Sequence, residues 1–172
     1  MASSVFDRFL ARIADSDLRA VARHWHEARR DKLMPAWGDI DPAKIKRQLP
    51  LIWCYRYDPA SDNFTGRLAG EEIVRIFGKS FRGVPMRELF PPERFDEISR
   101  RHRTIVLGPS LFLGTRFVFR HLDREGTGER ICMPLAEDGV HGDGILGATR
   151  YVIPTAASTE FGREEDEFFS LV

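Results

Sequence analysis

Cysteine is nearly absent from this chain: Cys54 and Cys132 are its two thiols in 172 residues. Two cysteines so far apart build neither a disulfide framework nor a cysteine-rich metal site. Free thiols in apolar runs fit a reducing compartment, so a cytoplasmic protein is expected. Net charge is absent too, with 26 basic and 26 acidic residues. That excludes the strongly basic footprint of duplex nucleic-acid binding and a polybasic membrane anchor. Lysine is scarce, 4 residues against 22 arginines. A GC-rich coding bias explains this as readily as a choice of arginine for bidentate phosphate binding. No apolar run reaches the ~18 residues of a membrane span. The N-terminal MASSVFDRFLARIADSD carries charges too often for a signal peptide. Also missing are a nucleophile elbow, a Walker loop, a dinucleotide-binding glycine motif and an H-E-x-x-H zinc motif.

What remains is ordinary globular material, 42% apolar and 30% charged, of a length that fits one domain. Phe6, Phe9, Leu10 and Ile13 recur at helical spacing, as do Leu18, Val21, Ala22, Trp25 and Ala28 after Ser16, the expected N-cap. Residues 1–50 therefore form an amphipathic helical arm and a connector. Its apolar stripe needs a surface: the chain's own sheet, the same arm of a second copy, or a partner protein. Residues 51–58 and 64–70 read as a β-hairpin. Short helical pieces follow at 71–79 and 86–90, and a longer helix runs from Pro91-Pro92 to about Leu107. Its buried face is marked by Phe95, Ile98, Ile105 and Val106. Three strands succeed it, at 111–122, 128–137 and 143–153, with REGTG (124–128) and EDGVHG as the turns. Alternation of Leu113, Phe117 and Phe119 with Arg116 and Arg120 predicts an antiparallel sheet with one well-buried face. The segment 154–172 reads as a linker and a frayed helix. The order predicts an α+β fold: a five-stranded antiparallel sheet, 51–153, with its helices inserted between strands two and three.

That order resembles the PAS superfamily. Gly70, Phe77, Gly78, Gly83, Met86, Glu88 and Leu89 match the PAS pattern of strand two, small helix, Phe-Gly and G-x-x-(L/M)-x-E-L. Trp25, Leu33, Pro35, Ile40, Asp41-Pro42, Leu49 and Pro50 add a likeness to a PAS-like family widespread in alphaproteobacteria and first described without a function. The likeness covers roughly residues 18–153 and consists of scaffold positions. It implies a sensory or adaptor module of signal transduction, read out by protein contact, and a homodimer through the arm. It also implies a small-molecule cavity between sheet and inserted helices, with Trp53, Tyr55, Phe77, Phe95, Ile98, His102, Phe117, Phe119, Met133, Thr149 and Tyr151 as ligand-binding candidates. A packed aromatic core would use the same residue types.

His102 is the sharpest of these. It lies at Ile98 plus four and Phe95 plus seven, hence on the apolar face of the long helix. In haem-binding PAS sensors a histidine on this helix is the proximal ligand; a core histidine bonded to a backbone carbonyl fits equally, and the cofactor is left unassigned. His24 and His26 point about 200° apart on a helix, which argues against a shared metal ion. Arg116, Arg120 and Arg150 are expected on a solvated sheet face, and the cysteines as packing residues. The rival reading is a small cavity enzyme of isomerase or hydratase type, with His102 paired to Asp96 or Glu97 as acid and base. Neither carboxylate lies one turn from His102 on its face, so no enzyme is expected.

Overall fold

The computed structural model describes residues 3–121, 124–153 and 163–172. Helices α1 (Val5–Arg12) and α2 (Ser16–Arg29) come first. Strands β1 (Ile52–Asp58) and β2 (Asn63–Ala69) precede helices α3 (Glu71–Phe77) and α4 (Pro92–Leu107). Then come β3 (Ser110–His121), β4 (Arg124–Leu135), β5 (Gly144–Val152) and β6 (Glu165–Ser170). The described strands form one six-stranded antiparallel sheet in the order β2-β1-β5-β4-β3-β6. The expected α+β architecture is present, and β6 adds a strand to it. No helix among the described residues is long and apolar enough to cross a membrane.

Local chemistry sets the boundaries. Ser4 caps α1 by accepting from the Asp7 N–H at 3.0 Å. Asp15, one residue before the expected Ser16, caps α2 by accepting from the Asp17 and Leu18 N–H groups, each at 2.9 Å. The break between the helices is held from the sheet: the Glu129 carboxylate accepts from Ala14 N–H at 2.7 Å and Asp15 N–H at 2.8 Å. Pro92 opens α4 where no N–H bond is needed. Gly78, at φ 73°, closes α3 in the left-handed region.

The sheet is covered on both faces, and strand parity sorts the residues. Cys54, Leu111, Leu113, Ile131, Met133 and Leu146 pack against the arm with Phe9, Leu18, Val21 and Trp25. Trp53, Tyr55, Phe112, Cys132 and Ile145 point the other way, against Ile73, Ile98, Ile105 and Val106 of the inserted helices. Of the three surfaces open to it, the arm takes the chain's own sheet. Trp25 is fully buried, and its indole N–H donates to the Pro134 carbonyl at 2.9 Å. Arg150 belongs to this clamp rather than to a solvated face: it meets Asp15 at 3.0 Å and Asp17 at 2.5 Å.

Two further expectations are corrected. REGTG is strand, not turn, because β3 and β4 pair as far as His121↔Arg124. Its glycines serve cross-strand aromatics. A Cβ on Gly128 would lie 2.6 Å from the Phe117 ring, and one on Gly126 2.8 Å from that of Phe119. The tail is likewise not helical where it is described. Residues 165–170 pair with β3, Phe169 packing on Phe9 and Phe168 on Phe112 with ring centroids 5.4 and 5.1 Å apart. Two adjacent phenylalanines were too short a signal for a period of two. The expected linker at 154–162, Leu122 of the third predicted strand and the Arg120 side chain lie outside the described residues. Arg116 occupies a bulge at φ 55° and pairs with Glu165 of β6.

Gly66 is where the hairpin meets the loop after α3. Its N–H donates to the Val84 carbonyl and its carbonyl accepts from the Gly83 N–H, both at 2.8 Å. A Cβ there would stand 2.0 Å from the Phe81 carbonyl oxygen. Gly66→Ala is expected to lift this loop and destabilise the fold by about 3 kcal/mol. An unchanged midpoint of urea unfolding would show that the loop moves freely.

Candidate ligand site between the inserted helices and the sheet

Six of the predicted residues meet around one point. Trp53 and Tyr55 rise from β1, Tyr151 from β5, Phe77 from α3, and Ile98 and His102 from α4. They enclose a cavity of about 20 Å³ with Phe81, Phe90, Arg101 and Arg130. That volume holds about one water molecule. His102 is central. Its Nδ1 lies 2.7 Å from the Ile98 carbonyl one turn earlier. A carbonyl only accepts, so Nδ1 carries the proton and Nε2 is the bare nitrogen. Trp53, Tyr55 and Phe64 surround the imidazole with centroids 5.5–5.7 Å away. Nε2 has no hydrogen-bond partner, and neither has the buried Tyr55 hydroxyl. Burial, with Arg101 and Arg130 nearby, pushes the imidazole down to about 3, against a smaller opposing effect of the Ile98 bond. His102 is neutral at physiological pH.

A larger cleft adjoins this one. It measures about 430 Å³ and shares Phe77, Phe90, Ile98, Arg130 and Tyr151 with the inner cavity. Phe117 and Phe119 form its wall on β3, both in edge contact with Tyr151, at 6.1 and 4.7 Å. Phe77 meets Phe90 edge-on at 5.5 Å across the helical side. Arg94, Glu93 and Glu164 stand at the rim. Such a volume, walled by aromatic and aliphatic side chains with four charged ones among them, is that of a small-molecule site.

Not every candidate belongs here. Met133 is corrected outright: it packs against the arm, because Cys132 takes the helix-facing position of β4. Phe95 packs half-buried on the inserted-helix core and lines neither cavity. Thr149 is fully buried and acts behind the wall, its Oγ1 accepting from Trp53 Nε1 at 2.9 Å and Arg130 Nε at 3.4 Å.

The residue that sequence reading passed over is Arg130. Its guanidinium lies 4.3 Å from the Phe117 ring centroid. Counting by twos back from Cys132 would have placed it on this face. Arg101 was missed for its helix position beside His102. It is buried, sits 5.0 Å over Phe112 and reaches Asp166 at 3.4 Å. Desolvation and then Arg130 lower its proton affinity.

Several chemistries can be tested against this geometry. A haem does not fit, since the space at Nε2 is that of one water. The acid–base pair of the rival enzyme is not assembled. Asp96 and Glu97 are exposed, and the one polar partner of His102 is a backbone carbonyl. Both thiols are buried, on opposite faces, and burial pushes each up to about 12, so they stay protonated. His24 and His26 diverge: the first accepts from the Asp41 N–H at 2.9 Å, the second stacks on Phe6 at 3.9 Å. Glu97, Glu164 and Asp166 bring carboxylate oxygens within 4.8 Å of one another. All three are open to water, and Asp166 already serves Arg101.

Comparison with known proteins follows the fold. Solved structures similar to this chain include one described as VqmA bound to DPO, with TM-score 0.48 and 13% identity over 64% of this chain and 56% of that one. The PAS domain of a protein from Colwellia psychrerythraea matches with TM-score 0.47 and 18% identity, over 66% of this chain and 98% of its own. The Rhodobacter sphaeroides LOV protein matches with TM-score 0.43 and 15% identity, over 63% of each chain. This chain thus spans less than two thirds of the VqmA and LOV chains. No curated protein matches it. The family model described as PAS domain matches residues 13–150, most of the chain, from the end of α1 into β5. The chain belongs to the PAS domain family.

Proposed function

We propose that this sensory domain takes a small molecule in the cleft between α3, α4 and the sheet. One observation carries the reading: a cleft of about 430 Å³ shares Phe77, Phe90, Ile98, Arg130 and Tyr151 with the small inner cavity, whose lining includes Tyr55 and His102, and the Tyr55 hydroxyl and His102 Nε2 are buried without a partner. Buried polar groups are almost always satisfied, and one left unpaired costs about 1–3 kcal/mol. A ligand group, or a water held by a ligand, would satisfy both. The output would pass by protein contact. The expected homodimer through the arm has lost its apolar basis, since that stripe is already buried on the sheet. A protein partner would read other surfaces.

Native mass spectrometry of the full chain, with mass analysis of what denaturation releases, tests this. A stoichiometric small molecule, lost on Tyr55→Phe or His102→Leu, is the expected result. A ligand-free chain whose melting temperature no metabolite pool raises would overturn it and leave a fully packed adaptor.

A further inference from the structure

Charge narrows the class of molecule that this cleft suits. Arg130 lies half-buried at the junction of the inner cavity and the outer cleft. Its contacts are Thr149 Oγ1, the Phe117 face and the Tyr151 side chain. None is an anion, and no carboxylate pairs with it among the described residues. Arg94 at the rim is also without an ion pair there, and its Nε is buried with no partner. A guanidinium withdrawn from water without a counter-ion is unfavourable, and its planar fork matches a carboxylate with two parallel hydrogen bonds. The other anions of the site are Glu93 and Glu164, at the rim. They offset the charge of Arg94 at the same rim, which leaves the inner Arg130 to match a single negative charge. Around this cation the walls are aromatic: Phe117, Phe119 and Tyr151 on the sheet side, Phe77 and Phe90 on the helical side. Such a slot suits a flat ring, stacked or edge-on.

We propose that the cleft binds a small aromatic monocarboxylate, its carboxylate on Arg130 and its ring between Phe90 and the Phe117–Tyr151 wall; this rests on reading the cleft as a ligand site. The Tyr55 hydroxyl and His102 Nε2 beyond Arg130 would take a polar substituent or a water carried in with the acid.

Benzoate and its neutral isostere benzamide are the probes, titrated into the full-length chain at constant ionic strength with melting temperature as readout. Benzoate is expected to raise the melting temperature saturably, at a concentration about tenfold or more below that needed for benzamide. Arg130→Gln should remove the difference and Arg130→Lys keep part of it. Equal action of the two probes on the wild-type chain would overturn the proposal without any variant having to fold. So would benzoate binding that is unchanged in a folded Arg130→Gln protein. A chain indifferent to both probes overturns it too. In that case a ligand found by native mass spectrometry would leave the cleft reading standing, and a ligand-free result would remove both.

Discussion

Trp25→Ala is expected to lower the urea midpoint of unfolding by about 2 M. The indole is wholly buried between α2 and the sheet, within the cluster that joins the arm to β1, β3, β4 and β5. Truncating a buried tryptophan costs about 3–5 kcal/mol. The lost indole N–H also leaves the buried side of the Pro134 carbonyl without its donor. With a denaturant slope of about 2 kcal/mol per molar, that loss becomes the stated shift. Total stabilities of about 5–15 kcal/mol make this a large fraction of what holds the fold. Trp25→Phe should retain most of the packing and fall between the two. A shift below about 0.5 M for the alanine variant would mean that the arm is a detachable cover and contributes little to the core. Circular dichroism in the far ultraviolet is the appropriate probe, since Trp37 and Trp53 would complicate fluorescence.

The second large effect is acid lability centred on His102. An imidazole near 6.5 in the unfolded chain falls to about 3 in the folded one. Between those values the unfolded chain holds a proton that the folded chain does not, so stability rises with pH there. The contribution is complete above pH 6.5 and is lost as pH falls toward 3. At pH 5 the loss is about 2 kcal/mol, from a unit of pH being worth about 1.4 kcal/mol. His24 and His26, also lowered chiefly by burial, act in the same direction. Carboxylates such as Asp62 and Asp138 are held low by hydrogen bonds to Arg103, to Tyr57 and to the backbone around His141. They matter only at more acid pH. Comparing urea midpoints at pH 7.5 and 5.0 for the wild-type chain and His102→Leu separates the groups. The variant should lose most of the pH slope and, with the orphaned Nε2 gone, cost little at pH 7.5. A slope identical to wild type would place the acid sensitivity elsewhere.

The order of elements was legible because glycine, proline and hydrophobic period agreed along most of the chain. Gly78 and Gly108 stop α3 and α4 where expected. The β1–β2 hairpin and the order of the three strands after α4 follow alternation and turn residues, although β4 starts earlier than the turn residues put it. What misled is specific. Gly126 and Gly128 read as turn residues, yet they are strand positions kept open for the rings of Phe119 and Phe117. The helical stripe of the arm and the strands it covers were both visible, but their pairing is tertiary and leaves no local signature. For the site, the resemblance together with strand and helix period pointed to Trp53, Tyr55, Ile98 and His102, whereas Phe95 on the same helix lines neither cavity and Arg101 lines the inner one. Met133 was placed on the wrong face because a strand buried on both sides, as β4 is, hides its alternation. Arg130 was invisible for the same reason from the opposite direction: arginine in a strand suggests solvent, whereas this one lies along an aromatic wall.

The last strand has a consequence for how copies of this protein meet. Sheet edges are templates for chain-to-chain polymerisation. At one end of this sheet, the Gly66 N–H and carbonyl are already engaged by the loop after α3. At the other, β6 presents Glu165, Asp166 and Glu167 in succession, each anchored by an arginine from a different element: Arg116, Arg101 and Arg12. A strand added there would have to crowd these three ion pairs and take them out of water. The strand therefore works as a fender at that end of the sheet, with three ion-paired side chains standing where a bare edge would invite another strand.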